Sequence, residues 1–187
     1  GTDIVDLVPV PDDFNTIYAA AAKHLASRVP GGLFVSRDAG RTWTKLDTPI
    51  DSVTQVVPLA DGRIFIAGGL KAAGKKLENR GGVFVLEKGA AEWKKLLEAP
   101  LVSTLAVHPV DPILFCTVEP DRESLLLSPG VWRSEDGGKT WKRINNGIAG
   151  AFSFTFLKWH PTEKNILWLG TYGSGYYFWK DPKASVH

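Results

Sequence analysis

Apolar and polar residues alternate along this chain in short runs, as in Ser52-Val53-Thr54-Gln55-Val56-Val57 and Arg63-Ile64-Phe65-Ile66-Ala67. Alternation with a period of two, bounded by Gly, Pro and Asp turns, predicts half-buried β-strands. A helical period competes nowhere, except for a turn in the stretch Ala20 to Ser27. The first unit reads as strand Ile4 to Val10, turn Pro11-Asp12-Asp13-Phe14-Asn15 and strand Thr16 to Ala22. An insert to Gly32 follows, then strands Leu33 to Ser36 and Thr42 to Leu46. The second starts at Ser52 to Val57, turns at Asp61-Gly62, a hairpin dipeptide, and continues through Arg63 to Ala67 and Val83 to Val85. The third runs through Val102 to His108, Ile113 to Val118, Val131 to Arg133 and Trp141 to Ile144. The fourth has Phe152 to Trp159, Ile166 to Thr171 and Tyr176 to Trp179, and then stops.

The units repeat. Prolines recur at Pro11, Pro58, Pro109 and Pro161, glycines at Gly32, Gly82, Gly130 and Gly175, and tryptophans at Trp43, Trp93 and Trp141. A period of about 50 residues with four short strands per unit describes the blade of a β-propeller. The expected fold is all-β, with about four blades near 3–50, 51–100, 101–150 and 151–187 and the last one incomplete. Aligning on the glycines puts Asp181 where Asp136 would be and nothing like Trp141 after it, so the outer strand of blade four is expected to be missing from this sequence. Three readings stay open: part of a larger propeller, a compact four-bladed ring, or a ring completed by a second copy or another chain. In each, the apolar edge Tyr176 to Trp179 needs cover, from another chain or from missing blades.

Two octads punctuate the repeat. Ser36-Arg37-Asp38-Ala39-Gly40-Arg41-Thr42-Trp43 and Ser134-Glu135-Asp136-Gly137-Gly138-Lys139-Thr140-Trp141 share the pattern S-x-D-x-G-x-T-W. Ser and Asp can accept hydrogen bonds from the turn's own amides, Gly supplies a positive φ, and Trp brings a large apolar face to bury. Ser36, Asp38, Gly40, Thr42 and Trp43, with Ser134, Asp136, Gly138, Thr140 and Trp141, are therefore read as structural. In blade two the octad has decayed to Leu86-Glu87-Lys88-Gly89-Ala90-Ala91-Glu92-Trp93, where only the Trp survives.

The octad resembles the Asp-box, or BNR, motif of β-propellers. With Asn145-Asn146-Gly147-Ile148, His108-Pro109-Val110-Asp111-Pro112 and Leu169-Gly170-Thr171-Tyr172-Gly173-Ser174-Gly175, the chain is similar to one repeat group. That group is shared by sortilin-type receptor propellers, photosystem-assembly propellers and xyloglucan-cleaving glycoside hydrolases. The resemblance implies an extracellular or periplasmic protein that is either a binding module or part of a hydrolase. A shared fold does not decide between them.

Composition narrows the classes. Seven Trp and nine Phe in 187 residues suit a core of aromatic pairs. A net charge of +2 is too small to argue for nucleic acid or a membrane surface. No apolar stretch approaches the roughly 20 residues that span a bilayer, and no signal peptide pattern is present. The lone Cys116, in an apolar run, is read as a small buried hydrophobe. Methionine is absent even at position 1, so a processed or excised piece of a longer product is expected.

Candidate chemistry concentrates in three long inserts between second and third strands, on the face opposite the octads. Minimal blades need only a few residues there, so the added length points to function. The first carries Lys23, His24 and Arg28; the second Lys71, Lys75, Lys76 and Arg80; the third Glu119, Asp121 and Glu123 with Arg122. A basic arc would thus lie beside an acidic one, with Leu125-Leu126-Leu127 as an apolar triplet. Tyr172 and Tyr176 could stack on a sugar. A glycosidase needs two carboxylates about 5–10 Å apart, and Asp6, Asp51 and Asp61 form no evident pair. Arg63-Ile64-Phe65 lacks the proline of the sialidase signature. His108 and His160 each precede Pro and are read as turn caps; no calcium loop, metal site or cofactor is implied. The expected function is a non-catalytic module recognising a protein or carbohydrate partner, with a xyloglucanase-like hydrolase fragment as the alternative.

Overall fold

The structure is a computed structural model and describes residues 3–23, 31–69, 81–120, 129–148, 153–163 and 165–181. Its regular elements, among the described residues, are all strands. Blade one contains β1 (Asp3–Val10), β2 (Asp13–Ala22), β3 (Gly32–Ser36) and β4 (Thr44–Leu46). Blade two contains β5 (Val53–Pro58), β6 (Ile64–Gly68), β7 (Gly82–Leu86) and β8 (Lys94–Glu98). Blade three contains β9 (Val102–Val107), β10 (Leu114–Val118), β11 (Gly130–Ser134) and β12 (Lys142–Arg143). Blade four contains β13 (Phe154–Trp159), β14 (Ile166–Thr171) and β15 (Tyr176–Lys180). Each blade is an antiparallel meander in sequence order, and the four sheets form a four-bladed β-propeller whose last blade has three strands.

Two expectations are corrected. β2 starts at Asp13 and not Thr16, because Asp12 takes a left-handed conformation (φ 64°) and tightens the turn to Pro11-Asp12. Asp13 is thereby free to pair with Val10. The outer strands begin after the tryptophans, because the octad aspartate captures the Thr42 amide that a ladder would have used. The stretch Ala20 to Ala22 is strand, and residues 24–30 of the expected turn lie outside the described residues.

Both faces of an inner blade are apolar, and the blades stack through three seams. Tyr18, Leu33 and Val35 of blade one meet Val56, Ile66 and Phe84 of blade two. Phe65, Val83 and Val85 of blade two meet Leu105, Leu114 and Cys116 of blade three. Phe115 and Val131 of blade three meet Leu157, Leu167 and Leu169 of blade four. Each such side chain stabilises the fold by about 1.5–3 kcal/mol, against about 1 kcal/mol net for a hydrogen bond, so the seams carry the architecture. The glycine that recurs at the third strand takes a positive φ in all four blades, at Gly32, Gly82, Gly130 and Gly175, and in blade two a steric cause is added. At Gly82 (φ 143°) a Cβ would sit 1.9 Å from the Leu97 carbonyl oxygen.

Polar latches cross the same seams. A bulge between Ile4 and Asp6 turns Asp6 toward blade two, where it accepts the Val56 amide at 3.2 Å. The matching bulge in β5 turns Gln55 toward blade three, where it accepts the Leu105 amide at 2.6 Å. The indoles do likewise. Trp93 donates to the Asp47 carbonyl and Trp141 to that of Leu96, each on the preceding blade. Trp43, on blade one, donates to Gly40 within its own turn and is partly exposed.

Candidate functional site

In these meanders the β1–β2 and β3–β4 turns, and their counterparts, emerge on one face of the propeller. The β2–β3 loops and the blade-to-blade links emerge on the other. Each octad closes its own turn on the first face. Asp38 accepts from the Thr42 amide at 2.9 Å and the Thr42 hydroxyl at 2.6 Å, while Ser36 donates to Asp38 at 2.7 Å and accepts from Gly40 at 2.8 Å. Asp136, Thr140, Ser134 and Gly138 repeat the arrangement at 2.9, 2.6, 2.8 and 2.8 Å. The threonine hydroxyl and amide, with the serine, hold each aspartate down to about 2 from the ordinary 3.8. With their acceptors used by the turn, these carboxylates have little capacity left for a ligand.

The two histidines cap turns, as the sequence suggests. Nδ1 of His108 accepts the amides of Val110 and Asp111 at 3.3 and 2.8 Å. Nδ1 of His160 accepts those of Thr162 and Glu163 at 3.4 and 3.0 Å. His108, Asp111, Trp159, Asn165 and Asp181 border a cavity of about 290 Å³ on the octad face at the seam of blades three and four. Cys116 is fully buried among apolar side chains, and burial pushes its thiol up, away from the reactive thiolate.

The carboxylates considered for catalysis each have a structural partner. Asp61 accepts from its own hairpin, the Arg63 amide at 3.0 Å and the guanidinium at 2.8 Å. Asp51 pairs with Lys23 at 2.5 Å on the insert face. Burial raises the pKa of Asp6, an effect partly offset by the Val56 amide and the Lys158 charge. Among the described residues, no group of three or more His, Cys, Asp or Glu is placed to hold a metal ion.

Of the residues expected to bind a ligand, Lys23 stands at the mouth of the first insert. His24, Arg28, Lys75, Lys76, Arg80 and Arg122 lie outside the described residues. Tyr172 and Tyr176 flank the β14–β15 turn on the insert face and are exposed. Tyr176 belongs to an aromatic surface on blade four. It lies 6.1 Å from Phe156, and Trp168 lies 6.4 Å from both His160 and Phe178. The apolar run at β15 is therefore split by alternation. Tyr177 and Trp179 pack into the third seam, while Tyr176 and Phe178 face out.

Sequence reasoning missed Arg133. Its guanidinium stands 4.5 Å from the Trp179 ring centroid and 5.6 Å from that of Phe115, and bonds Glu135 at 2.7 Å. The only signal was a charged residue in an otherwise apolar third strand.

No family model matches the chain. It is 28% identical over 171 residues to a xyloglucanase from a Paenibacillus species, covering 86% of this chain and 15% of that enzyme. A GH74 xyloglucanase from Xanthomonas campestris superposes with a TM-score of 0.69 at 19% identity, over 94% of this chain and 28% of that one. An auxiliary nutrient-binding protein from Bacteroides ovatus gives 0.63 at 14% identity, over 91% and 36% of the two chains. YCF48 bound to a peptide gives 0.57 at 15% identity, over 97% and 51%. The chain thus spans a minor part of the xyloglucanases, and the structural likenesses carry the fold and not an activity.

Proposed function

We propose that this chain is a non-catalytic binding module of the Asp-box propeller type. It acts outside the cytoplasm and recognises a protein or carbohydrate partner through the face opposite the octads. The observation that carries the reading is the engagement of Asp6, Asp51 and Asp61. One latches a seam, one pairs with Lys23 and one closes a hairpin. A hydrolase needs one carboxyl poised as an acid across a cleft from a second, and these three are committed elsewhere. Relatives described as nutrient-binding or peptide-bound support a binding role. The 28% likeness to a xyloglucanase favours the second reading, a hydrolase fragment that completes its site with other parts of a longer protein.

The basic residues of the first two inserts favour a partner with acidic groups, whose association weakens as salt screens the charges. Calorimetric titration with xyloglucan oligosaccharides, a uronic-acid oligosaccharide and an acidic peptide, beside an assay for released reducing ends, tests the proposal. Binding without release is expected, with association slowed in a Lys75→Glu/Lys76→Glu variant of unchanged stability. Release of reducing ends, or binding indifferent to salt and to that variant, overturns it.

A further inference from the structure

Asn146-Gly147 is the one Asn-Gly pair in the sequence, and it lies in the link from blade three to blade four. Asparagine is thermolabile, and most so before glycine, where no Cβ shields the next amide nitrogen. The residues on either side are fixed. Asn145 accepts the Val131 amide at 2.8 Å and donates to the Pro129 carbonyl at 3.4 Å, so it holds the third strand of blade three. Ile144 and Ile148 pack into the third seam. The Ile148 amide donates to the Asn145 carbonyl at 3.1 Å and closes a tight turn, with Gly147 at φ 84°. Between these anchors Asn146 and Gly147 are both exposed.

Two other turns carry the same kind of pair with an aspartate, and in both the reacting groups are occupied. The Gly62 amide donates to the Leu59 carbonyl at 3.0 Å, and the Asp61 carboxylate accepts from Arg63. The Gly137 amide donates to the Pro112 carbonyl at 2.8 Å, and Asp136 accepts from Thr140 and Ser134. In the link neither group is used. Among the described residues, the Asn146 side chain and the Gly147 amide make no hydrogen bond. A Cβ at Gly147 would meet nothing within 4 Å. A turn closed by one backbone bond at the surface opens locally at small cost. Nothing packed against Gly147 then resists the swing of its nitrogen onto the Asn146 side chain.

We propose that Asn146-Gly147 is a self-modification site, at which the folded protein converts Asn146 to isoaspartate and thereby loosens the third seam. The Gly147 nitrogen gives its proton to solvent and attacks Cγ of Asn146. The new N–Cγ bond forms as the Cγ–Nδ2 bond breaks, and ammonia leaves with a proton from solvent, giving a succinimide. Water then opens the ring. Opening at the main-chain carbonyl leaves Gly147 attached through Cγ, which is isoaspartate; opening at Cγ gives plain aspartate. Water is the one co-reactant. Isoaspartate adds a carbon to the main chain inside the turn that the Ile148 amide closes on Asn145. That bond is lost, and Asn145 and Ile148 lose the register that seats them against Val131 and the seam. The inference stands apart from the proposed binding function and uses no residue of the basic inserts.

Incubation of the folded chain in warm, mildly alkaline buffer tests it, followed by tryptic digestion and electron-transfer fragmentation of the peptide 144–158. Isoaspartate should accumulate at position 146, faster as pH rises, with Asn145 unchanged in the same peptide. Asn146→Gln should lose the conversion and keep the wild-type thermal midpoint, because the side chain is exposed. The purified isoaspartate form should melt lower than the wild type and lower than Asn146→Asp, which carries the charge without the extra carbon. A folded chain that stays unmodified overturns the proposal, most directly where the urea-unfolded chain converts. Conversion at another asparagine in place of Asn146 overturns it equally. An isoaspartate form that melts with Asn146→Asp overturns the loosening of the seam.

Discussion

Gln55 of β5 reaches across a blade seam and accepts the backbone amide of Leu105 in β9 at 2.6 Å. One blade earlier Asp6 does the same for Val56 at 3.2 Å. A side-chain acceptor thus ties the inner strand of blade one to that of blade two, and the inner strand of blade two to that of blade three. Gln55→Ala should leave the Leu105 amide without its partner and lower stability by about 1–2 kcal/mol, read as a shift of the urea midpoint. An unchanged midpoint would show that the latch adds nothing to the packed seam.

Asp6 holds the same post with a charge that burial disfavours. Asp6→Asn keeps an oxygen for the Val56 amide and removes the charge, as Gln55 already does one blade on. The folded carboxyl titrates above its ordinary range, so its cost is absent below about pH 4, where folded and unfolded states are both protonated. The cost sets in as pH rises. The Asn variant should therefore match the wild type at low pH and gain stability toward neutral pH. A variant less stable at pH 7 would show that Lys158 and the amides outweigh the burial of the charge.

The blade pattern was legible in the sequence because alternation and turn residues act locally. β14 matches its expected span because an Asn turn bounds one end and Tyr172-Gly173 the other. The start of β2 was not legible, since nothing local announces that Asp12 will turn left-handed and let Asp13 pair. Nor were the seams. Inner blades bury both faces, so alternation does not say which face meets which neighbour. The latches hid for a related reason. Gln55 reads as one more polar position until a bulge turns it toward the next blade. At the candidate site, Asp61 was legible as a turn residue from Asp61-Gly62 alone, whereas the Lys23–Asp51 pair joins residues a blade apart.

Ala39 of the first octad adopts φ 58°, where the second octad has Gly137 at 73°. A left-handed alanine costs roughly 1–2 kcal/mol, and glycine gives back part of that gain by loosening the unfolded chain. Ala39→Gly should then stabilise the protein by up to about 1 kcal/mol. The Ala39 amide bond to the Asn15 carbonyl, at 2.9 Å, is retained in the variant. A lower thermal midpoint in Ala39→Gly would place the strain elsewhere in the turn.

The octad aspartates set an acid limit on the fold. Asp38 and Asp136 are held at about 2 in the folded protein against an ordinary 3.8, chiefly by the hydroxyl and amide of the threonine four residues on. A depressed folded value means that the unfolded chain binds the proton more readily. Their contribution is complete above about pH 4, shrinks as pH falls and is gone below about 2. The wild-type thermal midpoint should thus fall across that window. Asp136→Asn cannot titrate and presents an amide where Thr140 donates, so it should be less stable at neutral pH and lose less on acidification. Combining it with Asp38→Asn should flatten the window further, because the two octads belong to different blades and share no hydrogen-bond partner. Parallel slopes for wild type and double variant between pH 4 and 2 would move the acid sensitivity to other carboxylates. Asp61, whose folded value is also lowered by the Arg63 amide and guanidinium, would be the next to replace.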